Sequence, residues 1–421
     1  MSDPPRISEA RAWRAIWLLL LIYVVNHVDR QVMYILVEPV RTDLQLSDWQ
    51  MGWIVGGGFA LFYTLMGLPI GWIADRSDRR KLISLALALW SAFTVASGLA
   101  HSFWQLMAAR IGVGVGEAGC TPPAHSMISD LLPPARRASG LAFYQLGVPL
   151  GTLIGLVFGG VLADALDWRV AFFVVGTPGL LLAVVTRFYL PEPVRGATEG
   201  SADSSVQSVG EVLGFLRTLP SLRHSLIGNS LQTLPLAAFA SFNASYLQRV
   251  HGLSLSEIGL ALGLIAGLIG GSSVLLSGRL ADRLSGRDVR WIFWLPMLGA
   301  LASMPFSILC YVAEGPALAI TGIAIATAFN HLYSALGHAQ VQSLAKPRMR
   351  AILSAVALLA MNLVGFGLGP IIVGGLSSLM GGGDQLRWAL LSLVVFMPWA
   401  AFHYALAART YPRDLEAKNA A

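Results

Sequence analysis

The sequence has few charged residues and almost no cysteine. Charged side chains make up 12% of its 421 residues, whereas an ordinary soluble domain carries about 25%. The two cysteines, Cys120 and Cys310, both lie in apolar runs, so they predict neither a disulfide framework nor a metal site. The spacing of the histidines does not match a metal motif either. We therefore expect no metal, and the composition argues against a soluble fold.

Long apolar runs fill most of the chain. Hydrophobic residues account for 55% of it, and the mean hydropathy is +0.64. A helix that crosses a bilayer needs roughly 20 apolar residues, and the runs supply about twelve such helices, which predicts an all-α membrane protein. The predicted spans are residues 13–37, 49–74, 82–100, 103–128, 139–162, 170–190, 222–247, 255–280, 291–312, 317–344, 351–380 and 386–408.

The basic residues indicate how the helices are oriented. Most of the 29 Lys and Arg residues fall in alternate loops, and short loops rich in Lys and Arg stay in the cytoplasm. Both termini are therefore predicted to be cytoplasmic. The net charge of +6 is spread over these loops, so it reflects topology and does not predict nucleic-acid binding.

A polar segment rich in Gly, Ser, Glu and Pro divides the apolar runs into two groups of six. The pattern Gly-x-x-Ala-Asp-Arg occurs at residues 71–76 and again at 278–283, and such an internal echo is typical of transporters built from repeats. We predict an N-terminal six-helix bundle at residues 1–190, a cytoplasmic linker at 191–220 and a C-terminal bundle at 221–421.

The loop Asp75-Arg-Ser-Asp-Arg-Arg-Lys81 resembles the signature loop of the major facilitator superfamily, although that family has Gly where Asp78 stands. The resemblance implies a facilitator fold and a cytoplasmic gate. An aspartate can stabilise the start of the following helix, while the arginines face lipid phosphates and the other bundle. Alternatively, the charges serve only to orient the helices. The predicted gate residues are Asp75, Arg76, Arg79 and Arg80.

Two acids and two arginines lie inside predicted spans: Asp29, Arg30, Arg110 and Glu117. An ionisable group at bilayer depth costs at least roughly 2.5 kcal/mol and usually serves a pathway. Asp29 and Arg110 fall at similar depth and are predicted to pair. Glu117 follows Arg110 by two helical turns, so it shares that face and is expected to lack a full partner. The pattern predicts a proton relay through Asp29 and Glu117, or alternatively a static ion network.

Two motifs narrow the resemblance. Asn26-His-Val-Asp-Arg30 in the first span and Arg110-Ile-Gly-Val-Gly-Val-Gly-Glu117 in the fourth are similar to bacterial members of the spinster family, which transports sphingolipids and lysophospholipids. The resemblance implies proton coupling by Asp29 and Glu117, with Arg30 or Arg110 holding the lipid head-group. No cofactor is implied besides protons as the coupling ion.

These motifs lead to expectations about cargo and location. The favoured cargo is an amphipathic lipid, and the alternative is a small organic anion or drug carried with protons. The second half has no acidic residue within a span and is predicted to form an apolar wall for the cargo. An enzyme is not expected, because no nucleophile, base and orienting group share a recognisable spacing. We expect a monomer in the bacterial inner membrane, in contact with membrane lipids and not with nucleic acid.

Overall fold

The computed structural model describes residues 8–74, 76–194, 209–346 and 349–420. Over these ranges every regular element is helical and no strand is present, which confirms the all-α prediction. The described residues form two compact units. Unit 1 lies within Met1–Leu46, Trp53–Asp203 and Ser254–Gly263, and unit 2 within Ser47–Gly52, Ser204–Leu253 and Leu264–Ala421.

The α-helices of unit 1 follow the first six predicted spans. They are Glu9–Ile35, Val37–Asp43, Gly58–Ala74, Arg79–Ser97, Phe103–Glu117, Thr121–Leu131, Pro134–Gln145, Gly147–Ala165 and Trp168–Tyr189, with a π-helical turn at Trp53–Gly57. Most of the helix Leu255–Leu264 also belongs to this unit.

Unit 2 follows the last six predicted spans and includes one short helix inside the predicted linker, Val209–Thr218. Its other α-helices are Asp48–Gly52, Pro220–His251, Gly271–Ser285, Trp291–Val312, Pro316–Asn330, Ser334–Leu344, Arg350–Ala360, Gly369–Leu379, Leu386–Ser392 and Phe396–Ala420. The π-helical stretches Ile265–Gly270 and Met361–Leu368 lie among them, as do the 3₁₀ turns His331–Tyr333, Gly383–Gln385 and Leu393–Val395.

Within the described residues, nine helical stretches are long and apolar enough to cross a membrane. The three other predicted spans are also helical, but each departs from a uniform apolar helix. Arg79–Ser97 begins with three basic residues. Pro220–His251 carries many buried polar side chains, and the fourth span is interrupted. Together these helices account for every predicted span.

The fourth span was predicted as one helix, and the structure divides it. Phe103–Glu117 ends at Glu117, a short turn follows, and Thr121–Leu131 begins with two prolines in its first turn. Proline has no backbone N–H and fits the first turn of a helix, but it disrupts a helix interior. The prolines therefore end one helix and start another, which leaves Glu117 at a helix end.

The first helix packs closely against Gly147–Ala165. A Cβ atom on Gly151 would lie 2.6 Å from the carbonyl oxygen of Val24, and one on Gly155 would lie 3.0 Å from that of Val28. Only glycine permits this approach, because a residue without a side chain lets two helix backbones come close together. The contact fixes the rotation of the first helix, and that rotation decides where its two charged residues point.

Candidate charged site in the first unit

An ion pair between Arg30 and Glu117 joins the first helix to Phe103–Glu117. The Nε atom of Arg30 donates to Oε2 of Glu117 at 2.5 Å. The Glu117 side chain is fully buried, whereas that of Arg30 is 24% exposed. Glu117 was expected to lack a full partner. Its Oε2 atom is paired with Arg30, whereas its Oε1 atom has no hydrogen-bond partner among the described residues.

Two aromatic rings hold the Arg30 guanidinium. Its Cζ atom lies 4.8 Å from the ring centroid of Phe59 and 4.8 Å from that of Tyr63. The two rings are one helical turn apart on Gly58–Ala74 and stack at 5.6 Å. Cation–π attraction of this kind stabilises a guanidinium out of water. In the sequence Phe59 and Tyr63 are two aromatic residues within an apolar run, which predicts only packing or the lining of an apolar cavity. Their role as partners of Arg30 was therefore missed in the sequence.

Arg110 is buried but has unused hydrogen-bonding capacity. Its side chain is 2% exposed, and its Nε and Nη1 atoms have no hydrogen-bond partner in the part of the chain that the structure describes. Its Cζ atom lies 5.6 Å from the Phe59 ring. A guanidinium has five N–H donors, and a buried one with open donors is suited to hold an anion.

The predicted ion pair between Asp29 and Arg110 is not formed. No N–O distance of 4.0 Å or less joins their charged groups in the described part of the chain. Asp29 instead accepts a hydrogen bond from Oγ1 of Thr94 at 3.3 Å. Successive residues of a helix point about 100° apart. Arg30 faces Glu117, so the preceding residue is turned towards the helix Arg79–Ser97. Depth along the helix was a reasonable guide, but rotation about its axis decided the pairing.

This arrangement brings all four predicted charges into one unit. A proton on Glu117 would cancel its charge and weaken its hold on Arg30, so protonation can be coupled to rearrangement of the site. Among the described residues no group of three or more His, Cys, Asp or Glu side chains is placed to hold an ion.

One arginine of the predicted gate loop, Arg79, is buried and does not lie at the surface as predicted. Asp75 lies outside the described residues. Arg76 is exposed and its guanidinium lies 4.2 Å from the ring of Trp72. Arg79 was expected to face lipid phosphates or the other bundle, but its side chain is 1% exposed and is held inside unit 1. Its partners are Oδ2 of Asp130 at 2.5 Å, Oε1 of Glu192 at 2.7 Å, Oγ of Ser126 at 2.8 Å and the carbonyl oxygen of Pro193 at 2.8 Å.

Asp78, at the position where the superfamily pattern has Gly, caps the helix Arg79–Ser97. Its carboxylate accepts from the backbone N–H of Lys81 at 2.9 Å and pairs with Arg80 at 3.1 Å. Burial raises the pKa of Asp78, but the Lys81 N–H bond and Arg80 outweigh it and leave the pKa below the ordinary value. Asp78 therefore supplies an N-cap that a glycine lacks.

Unit 2 is not the uniformly apolar wall that the sequence predicted. A buried polar network follows one face of Pro220–His251. Asn229 donates to Oε1 of Gln340 at 3.1 Å and accepts from the Tyr404 hydroxyl at 2.9 Å. Gln340 also accepts from Ser225 at 2.7 Å. Because each polar residue satisfies another, the missing charges in this half do not make its interior nonpolar.

Comparisons with known proteins agree with this fold. The family model of the Major Facilitator Superfamily matches residues 19–370. An MFS-type efflux pump of Mycolicibacterium smegmatis is 36% identical over 97% of this chain and 96% of its own. Protein spinster homolog 3 of Danio rerio is 27% identical over 88% of this chain and 78% of its own.

A solved structure is also similar. It is a bacterial homolog of the human lysosomal transporter spinster in an inward-facing, unoccupied conformation, which superimposes with a TM-score of 0.89 at 30% identity. The alignment covers 97% of this chain and 99% of that one. These relatives are transporters rather than enzymes. The chain belongs to the major facilitator superfamily and, within it, to the spinster family of membrane transporters.

Proposed function

We propose that this transporter moves an amphipathic lipid with an anionic head-group, of the sphingolipid or lysophospholipid type, by alternating access coupled to protons. The observation that carries the proposal is the difference between the two arginines of the site. Arg30 is occupied by Glu117 and two aromatic rings, whereas Arg110 keeps two unpartnered nitrogens. In our proposal Arg110, rather than Arg30, binds the phosphate or carboxylate of the cargo.

Glu117 is the proposed coupling residue. Its Oε2 atom holds Arg30 and its Oε1 atom has no hydrogen-bond partner among the described residues, so it has an oxygen available for a proton. Protonation would release Arg30 from the ion pair and alter the charge beside Arg110. A ligand or proton can shift a conformational equilibrium only by binding the two states differently, and this change of pairing provides such a difference. Asp29, bonded to Thr94, is proposed to act with Glu117.

The proposal also covers topology and assembly. We propose a monomer in the bacterial inner membrane, with both termini in the cytoplasm and Arg76, Arg79 and Arg80 at the cytoplasmic gate. The uneven distribution of basic residues supports this orientation. Reporter fusions to each terminus test this orientation. Activity, at either terminus, of a reporter that works only outside the cytoplasm would contradict it.

Flux under an imposed proton gradient tests the function. Purified protein in liposomes is offered labelled lysophospholipid, sphingoid-base phosphate or a small organic acid. We expect lipid flux that increases with the gradient. Glu117→Gln should abolish the dependence on the gradient, and Arg110→Met should reduce flux of the anionic lipids. Glu257→Gln is the matched control, because Glu257 is exposed and bonds only locally to Ser254.

Two results would overturn parts of the proposal. Gradient-driven flux that persists in Glu117→Gln would eliminate the relay. Flux of organic acids without flux of lipids would favour the second candidate, a proton-coupled carrier of organic anions or drugs. That candidate is supported by the similarity to an efflux pump and by the fact that the two arginines of the site also suit a compact anion.

A further inference from the structure

The tenth span is broken at the same place as the fourth. Phe103–Glu117 and Pro316–Asn330 are each 15 residues long, and each ends on a polar residue that precedes a non-α turn. Glu117 is bonded to Arg30 of the first helix. Asn330 is bonded to Gln232 of Pro220–His251, the first long helix of the second half. Each half therefore has a polar pair at its break, charged in unit 1 and neutral in unit 2.

The neutral pair has an open hydrogen-bond acceptor. Gln232 is 1% exposed and its Nε2 atom donates to Oδ1 of Asn330 at 2.8 Å, but its Oε1 atom has no partner in the described part of the chain. The next residue, Thr233, bonds to the Tyr333 hydroxyl at 3.1 Å, which fixes the far side of the break. An unsatisfied buried acceptor is costly, so its retention points to a ligand.

The chemistry of the pair indicates what it binds. The Gln232 carbonyl accepts a hydrogen bond. The Asn330 amide nitrogen is a donor and makes no hydrogen bond to any described residue. A hydroxyl group both donates and accepts a hydrogen bond, so it complements the two amides. Neither side chain carries a charge. We propose that Gln232 and Asn330 form a neutral subsite of unit 2 that binds a hydroxyl group of the transported molecule.

This subsite rests on the proposed function for its ligand, since lysophospholipids and sphingoid bases both carry a free hydroxyl near the head-group. The experiment therefore uses pairs of probes that differ by one hydroxyl. The first pair is a lysophospholipid and its analogue with hydrogen in place of the sn-2 hydroxyl. The second pair is a hydroxylated organic acid and its deoxy counterpart. Flux of each is measured in liposomes with wild-type protein and with Gln232→Leu.

We expect wild-type protein to prefer the hydroxylated member of a pair by about tenfold, as one hydrogen bond to a buried group would give. Gln232→Leu should abolish the preference by slowing the hydroxylated probe alone. Asn243→Leu is the matched control, because it removes another buried amide of unit 2, bonded to Tyr311, and should slow both members equally. If Gln232→Leu does not fold, Gln232→Met, which keeps the side-chain length without the amide, replaces it.

The outcomes separate the subsite from the proposed cargo. Equal slowing of both members by the Gln232 variant would show that the residue only packs helices and would overturn the subsite. Absence of a hydroxyl preference in wild-type protein for both pairs would also overturn it. A Gln232-dependent preference among organic acids, with no lipid flux, would support the subsite while rejecting the lipid cargo.

Discussion

Replacing Arg249 by Met is expected to destabilise unit 2, because it breaks a buried ion pair. Arg249 donates to both carboxylate oxygens of Asp48, at 2.8 and 2.6 Å, and the two side chains are 6% and 2% exposed. Ser377 donates a third hydrogen bond to Asp48 at 2.5 Å. After the substitution Asp48 stays buried beside the Ser377 hydroxyl and loses both hydrogen bonds from Arg249.

The magnitude follows from the cost of a buried charge without its counter-ion. Breaking such a pair by removing one partner costs about 3 to 5 kcal/mol. For a unit of about 200 residues, each kcal/mol shifts the melting temperature by about 2 to 4 °C. We therefore expect Arg249→Met to lower the melting temperature by at least about 6 °C. Replacing both partners, as Asp48→Leu with Arg249→Met, should cost less than the single change because no charge remains buried.

The assay is thermal unfolding of purified protein in one detergent, followed by tryptophan fluorescence. Arg290→Met is the control, since Arg290 lies 3.9 Å from Asp288 and its side chain is 46% exposed, and exposed pairs contribute little. The reasoning is wrong if Arg249→Met has the same melting temperature as Arg290→Met. It is also wrong if the double variant loses as much stability as the two single changes added together, because the buried pair would then not stabilise the fold.

Three further predictions use the same assay. Arg79→Ala should destabilise the fold by about 3 kcal/mol or more, because it removes a buried guanidinium that holds the carboxylates of Asp130 and Glu192. Arg79→Lys should restore little of this stability, since Lys cannot reproduce the fork of donors. Gly374→Ala should lower the melting temperature because its Cβ would lie 2.2 Å from the backbone oxygen of Asp48, whereas Gly278→Ala, which meets nothing within 4 Å, should be neutral or stabilising. Arg169 holds the pKa of Asp43 below its ordinary value through a hydrogen bond. The pair therefore stabilises the protein fully above the ordinary pKa of an aspartate, and this stability is lost as the pH falls through the lowered pKa. Arg169→Gln should have a lower melting temperature than wild type at pH 7 and the same melting temperature in strong acid.

The sequence alone predicted much of the fold and the residues of the charged site. Apolar runs of membrane length identified every span. Backbone N–H and C=O groups without hydrogen bonds are costly in lipid, so a long apolar run that crosses the membrane forms a helix. The same reasoning identified Asp29, Arg30, Arg110 and Glu117, since a charge within such a run is costly wherever its helix lies. Family motifs then added a transporter identity that the comparisons confirmed.

Tertiary structure decided which of these charges meet. The pairing of Arg30 with Glu117, and of Asp29 with Thr94, depends on the rotation of the first helix, which the glycine contacts of Gly147–Ala165 fix. The broken tenth span and the Gln232 pair likewise become visible only when distant residues are brought together. Length and hydropathy are local properties of the chain, whereas the direction of a side chain about its helix axis is set by packing against residues far away in sequence.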